Sequence, residues 1–142
     1  MASPPFHYVE VRAFSYVTED EQRVENALRA LLPEEGELDR AESEGHYGDP
    51  ILVLSTRVED GDAVETVLDR LGRLPETERE QLAAELDERV DEDCNLFVTL
   101  DKQAAATGEV RLGEGIALRG KVEAYPATRE RALDAVESAG VV

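Results

Sequence analysis

Asp91, Glu92 and Asp93 precede a strand-like run, Leu96 to Leu100, and Asp101 closes it. Four carboxylates around so short a segment could supply the oxygen ligands that a hard divalent cation wants. The same pattern also suits a turn before a strand, where Asp and Asn accept hydrogen bonds from their own backbone. Acids occur throughout the chain, so the turn is the reading adopted and no metal site is expected. Asp101 and Lys102 read as a strand-end ion pair rather than a catalytic couple. Cys94 is the single cysteine. A nucleophilic thiol needs a neighbour that favours the thiolate and a third group that orients the base. The two histidines, His7 and His46, stand far from Cys94 along the chain, and a cysteine at a strand entrance is usually a small buried residue. Gly45 and Gly48 flank His46-Tyr47 without the spacing of a phosphate loop. With no catalytic set, no metal ligands and no cofactor motif, the chain is read as a non-enzyme.

The remaining chemistry is stacking and ion pairing. The notable rings are Tyr8, Phe14, Tyr16, Tyr47, Phe97 and Tyr125. Exposed rings beside arginines can stack unpaired bases. Arg12, Arg57, Arg111, Arg119 and Lys121 all fall on predicted strands, which could give one face of a sheet its cations. Rings packed in a core and arginines in surface ion pairs are the plainer alternative.

The elements that must position these groups follow from hydrophobic period. Phe6 to Val17 alternates, with Val9, Val11 and Ala13 on one side and Tyr8, Glu10, Arg12 and Phe14 on the other. That is a half-buried strand. Thr18-Glu19-Asp20-Glu21 has the form of a capping box. The helix after it sets Val24, Ala27, Leu28, Leu31 and Leu32 on one face, and Pro33 stops it. Glu37 to Glu44 reads as an edge strand, His46 to Pro50 as a turn, and Ile51 to Val58 as an interior strand, so the two strands make a hairpin. A helix carrying Val64, Val67, Leu68 and Leu71 ends at Pro75, and a second, Glu76 to Val90, carries Leu82, Leu86 and Val90. Leu96 to Leu100 reads as a central strand. Ala104 to Gly108 is a small-residue connection of unassigned form. Val110 to Leu112 and Ile116 to Ala124 read as a hairpin across Gly113-Glu114-Gly115. A last helix starts near Ala127 and ends at Gly140. The order β-α-β-β-α-α-β-β-β-α implies an α+β fold, a mostly antiparallel sheet with helices on one face.

At 142 residues the chain suits one domain spanning residues 1–142, with residues 1–5 as a flexible lead-in. One cysteine and no leader-like segment point to the cytoplasm. No apolar run approaches the ~20 residues of a membrane helix, so no membrane partner is expected. Thirty-three acids stand against fifteen basic residues, a net charge of −18, and only Lys102 and Lys121 are lysines. Acids spread over every segment, with arginine in place of lysine, suit a surface adapted to molar salt. Disorder is disfavoured because 42% of residues are hydrophobic and they fall at regular periods.

Six blocks, in order along the chain, resemble one family: His7 to Phe14, Thr18 to Glu21, Glu44 to Ile51, Asp91 to Phe97, Leu100 to Gln103 and Arg119 to Pro126. Together they are similar to an archaeal RNA-binding family often labelled a predicted exosome subunit, and its haloarchaeal branch would suit the acidity. The resemblance implies a fold similar to the large-subunit ribosomal protein that binds 5S RNA, and it brings no catalytic residues. The function it implies is that of a non-catalytic RNA-binding accessory protein in RNA processing or degradation. The alternative is an adaptor that docks on such a machine, or on a ribosomal complex, without touching RNA. Expected partners are RNA, structured or single-stranded, then exosome or ribosomal proteins and a second copy of the chain. Within the resembling blocks, Arg12, His46, Tyr47, Lys102, Arg119 and Lys121 are the candidate RNA contacts. They supply cations and a stackable ring where the acids are interrupted.

Overall fold

A computed structural model describes residues 6–33, 37–45 and 48–138. The first strand, β1 (Phe6–Ser15), lies at the centre of a five-stranded antiparallel sheet. Its neighbours are β3 (Pro50–Val58) and β5 (Gly115–Val122), and the edges are β2 (Asp39–Glu44) and β4 (Asn95–Asp101), in the order β2-β3-β1-β5-β4. The alternation in β1 is realised as read: Val9, Val11 and Ala13 are buried, whereas Glu10, Arg12 and Phe14 point the other way. Leu54, Leu96, Val98, Leu100, Ile116 and Leu118 complete the buried face. Each such side chain contributes about 1.5–3 kcal/mol by leaving water.

Helices cover that face. α1 (Glu21–Arg29) and α2 (Gly61–Leu71) lie against β1. α2 is tied to the end of α1 by Arg70, whose Nη1 donates to the Ala30 carbonyl at 2.9 Å. That bond satisfies a carbonyl left over at a helix end. The expected capping box is not formed. Asp20 is the N-cap, accepting from Gln22 N at 3.0 Å, because Tyr16 to Glu19 closes a separate turn through Glu19 N and the Tyr16 carbonyl.

The helix expected over 76–90 is broken into α3 (Glu76–Ala84) and α4 (Leu86–Arg89) at Glu85, whose φ of −94° and ψ of 0° leave the helical region. The unassigned small-residue connection is α5 (Lys102–Ala106). Asp101 caps it, accepting from Gln103 N at 2.9 Å and Ala104 N at 3.0 Å. The expected pairing of Asp101 with Lys102 is therefore absent: capping takes one, and Glu19 takes the other. The final helix is α6 (Arg129–Ser138), with Ala132 and Val136 buried. None of the helices among the described residues is long and apolar enough to cross a membrane.

Two expectations for the second half of the chain are corrected. Leu96–Leu100 is not central; it belongs to an edge strand. Its composition misleads because one face, Leu96, Val98 and Leu100, is buried while Phe97 and Thr99 are exposed. The free edge is also partly covered, by a bridge from Val90 to Leu96 and another from Leu112 to Leu100. Asp101 N donates to the Arg111 carbonyl at 2.9 Å. Such cover guards an edge against unwanted pairing. Val110–Leu112 is accordingly a strip alongside β4 rather than the first arm of a hairpin with β5.

Candidate nucleic-acid interface

The sheet face away from the helices carries no buried side chain at its described positions on β1, β5 and β4. Pairing aligns its residues in cross-strand rows. Arg57, Glu10, Arg119 and Phe97 form one row across β3, β1, β5 and β4. Ser55, Arg12, Ala117 and Thr99 form the next. Tyr8, Lys121 and Asn95 lie beside the first row. The cations of this face are Arg12, Arg57, Arg119 and Lys121, and its acids are Glu10, Asp39 and Asp101. Glu59 adds a fourth acid, its carboxylate 3.9 Å from Arg57, so cations and acids balance on this face of a chain with a net charge of −18. The excess acid is therefore carried elsewhere.

Glu10 organises the first row. Its Oε1 accepts from Arg57 Nε at 2.8 Å, and its Oε2 accepts from Arg119 Nη2 at 2.5 Å. Burial on the sheet pushes the Glu10 carboxyl up, but the Arg57 hydrogen bond and the charges of Arg119 and Arg57 outweigh it and hold the group below its ordinary value. Arg57 also stacks on Tyr8, its guanidinium carbon 4.1 Å from the ring centroid, and Arg119 lies 5.9 Å from the same ring. One carboxylate and one ring thus fix two guanidiniums. Arg12 lies 5.5 Å from the Phe14 ring. A trough of about 540 Å³ runs over these rows between Phe97 and Asp39.

Of the candidate contacts named in the sequence, Arg12, Arg119 and Lys121 are brought onto this face, as is Arg57 from the wider set of strand cations, whereas Arg111 lies outside the sheet strands and pairs with Glu78 at 2.6 Å. Lys121 stands at its end, where Nζ donates to the Asp93 carbonyl. Lys102 lies apart, beyond the end of β4. Its Nζ donates to Glu19 at 2.8 Å and to the Phe14 carbonyl at 3.0 Å, and its side chain is only 11% exposed. His46 and Tyr47 lie outside the described residues. Tyr8, Glu10, Arg57 and Phe97 complete the face. Alternation in β1 exposes the first two, but only strand pairing sets Arg57 and Phe97 in line with them.

The Asp91 segment is a turn. Asp91 Oδ1 accepts from Asp93 N and Asn95 N, each at 2.9 Å, and Oδ2 accepts from Asn95 Nδ2 at 3.3 Å. Burial raises its carboxyl, yet these bonds and the Lys121 charge bring it below the ordinary value. Cys94 adopts the left-handed region, φ 65°, and is buried, its Sγ 3.6 Å from the Thr128 carbonyl. No group of three His, Cys, Asp or Glu side chains among the described residues could hold a metal ion.

Comparison with known proteins adds a family to this geometry. A family model described as RNA binding matches residues 8–122. RNA-binding protein PAB1135 of Pyrococcus abyssi is 36% identical over 139 residues, covering 92% of this chain and 90% of that protein. Protein AF2318 of Archaeoglobus fulgidus, assigned to DUF54, superposes with a TM-score of 0.84 at 30% identity, covering 94% of this chain and 99% of that one. Mth689 of Methanothermobacter thermautotrophicus, also a DUF54 protein, gives 0.79 at 38% identity, covering 94% and 97%.

Proposed function

Since this chain belongs to the RNA-binding family matched over residues 8–122, we propose that it binds RNA on the open face of its sheet, as a non-catalytic accessory in RNA processing or degradation. The observation that carries the reading is the concentration of Arg12, Arg57, Arg119 and Lys121 on one face of an acidic protein that no described helix covers. Phosphate affinity normally comes from such cations displacing counterions. Four of them are few, so stacking on Phe97 supplies the rest. In ~1 M salt the screening length is ~3 Å, and the acids elsewhere on the molecule then repel RNA little. Association with an exosome follows from the family resemblance alone.

The test is titration of RNA at several salt concentrations with wild type, Arg12→Gln and Arg119→Gln. Each variant is expected to weaken binding, and Arg119→Gln to reduce the log–log salt slope by about 0.7, one phosphate contact on a single strand. Unchanged affinity and slope in both would remove the face from the account.

A second reading is an adaptor that touches protein and no RNA. It draws on Phe14, Tyr16 and Val17, which are 38%, 48% and 63% exposed at the end of β1. Wild type that binds no RNA yet co-purifies with a protein complex would favour it.

A further inference from the structure

The trough has a construction of its own. One wall is the Phe97 ring, 44% exposed, and the other is formed by Arg57 and Asp39. Between them, Arg12 is flanked in register by Ser55 and Ala117. These small side chains leave the opening of about 540 Å³, within the size range of sites that take a compact organic ligand. The cations lie on β3, β1 and β5 alone, and neighbouring strands are ≈ 4.8 Å apart, so the basic strip is only about 10 Å wide. Next to it runs β2, exposed throughout, with Asp39 on this face and Glu42 and Glu44 on the opposite one.

A double helix is recognised largely by shape, through contacts spread over successive grooves. Laid on this face, it would extend beyond the strip and set phosphates against Asp39. A single strand fits within the strip. Its unpaired bases are also free to stack, which duplex bases are not.

Building on the RNA-binding reading above, we propose that the ligand is single-stranded RNA and that the trough takes one unpaired base stacked on Phe97. Arg12 donates to the edge of that base, and Arg57 and Arg119 face the flanking phosphates. A guanidinium carries five N–H donors. Glu10 accepts two from Arg57 and one from Arg119, which leaves others for the ligand. Arg119 Nε is buried and has no acceptor among the described residues.

The experiment measures fluorescence anisotropy of labelled oligouridylate and oligoadenylate of about eight nucleotides, beside a duplex of the same length. The full chain, Phe97→Ala and Phe97→Trp are titrated at several potassium chloride concentrations. Single strands are expected to bind about tenfold or more tighter than duplex. Phe97→Ala should weaken single-strand binding roughly 5- to 150-fold, the value of one stacked base. Phe97→Trp should keep the affinity, and its emission should change on binding, a clean signal because the chain has no other tryptophan. Phe97 lies on the exposed face of β4, outside the core, and circular dichroism of each variant checks the fold. Duplex bound as tightly as single strand, or Phe97→Ala without effect, overturns this inference and leaves RNA binding intact. No binding to any of the three RNAs overturns both.

Discussion

The Glu10 carboxylate occupies the position between Arg57 and Arg119 where a phosphate oxygen could also be held, so it both orders the two guanidiniums and competes for them. Its folded-state value lies below the ordinary carboxylate value. Its stabilising contribution is therefore fully present above the unfolded value, ~4.3, and is lost as pH falls through the lower folded one. Glu10→Gln should remove that part of the acid-side loss, with a neutral-pH cost of about 1 kcal/mol or less, because both pairs are partly exposed. The same variant should bind RNA more tightly, since an acid is removed beside the cations. Urea unfolding against pH and RNA titration measure the two effects, and weaker RNA binding would assign Glu10 to positioning alone. Lys102 belongs to a different interaction. With its ammonium on Glu19 and the Phe14 carbonyl, Lys102→Gln should cost stability, about 1–3 kcal/mol, and leave the RNA salt slope unchanged. A flattened slope would instead make it a phosphate contact. The scarcity of lysine marked this residue in the sequence, but scarcity does not say whether a charge meets solvent or a carboxylate.

At the scale of the element, what is local was legible. The alternation of β1, the β2–β3 hairpin and the apolar stripes of α1 and α2 follow from residues near one another in sequence, and all are present. What depended on distant partners was not legible. Leu96, Val98 and Leu100 give the same pattern whether their strand has one neighbour or two, so the edge position of β4 was hidden. The candidate face suffered likewise: Arg57 and Phe97 join Glu10 and Arg119 only through strand pairing. One pairing can be probed directly. Gly120 lies against Phe6, and a Cβ added there would sit 2.5 Å from the ring. Gly120→Ala should therefore destabilise the β1–β5 junction by about 1–3 kcal/mol, as overpacking does. A midpoint in urea equal to that of wild type would mean that the Phe6 ring moves aside freely.

For the whole molecule, the uneven placement of charge matters most. A net charge of −18 on 142 residues makes self-repulsion a large term when counterions are scarce. Thermal unfolding is expected at lower temperature in ~0.1 M than in ~2 M potassium chloride, as screening relieves that repulsion. An excluded, uncharged osmolyte is the control, because salt also strengthens apolar burial. A midpoint that does not move with salt would contradict adaptation to molar salt. The composition alone suggested this behaviour, but it could not show that one sheet face escapes the acidity, since that needs the positions of Arg12, Arg57, Arg119 and Lys121 in space.

Whether RNA occupies that face is tested most directly by amide chemical shifts of the labelled chain during titration with a single-stranded RNA. The expected result is a contiguous set of perturbations on β1, β5 and β4 around Glu10, Arg12, Arg119 and Phe97, with α2 and α3 unmoved. Perturbations confined to the helices, or spectra that stay unchanged at saturating RNA, would contradict it.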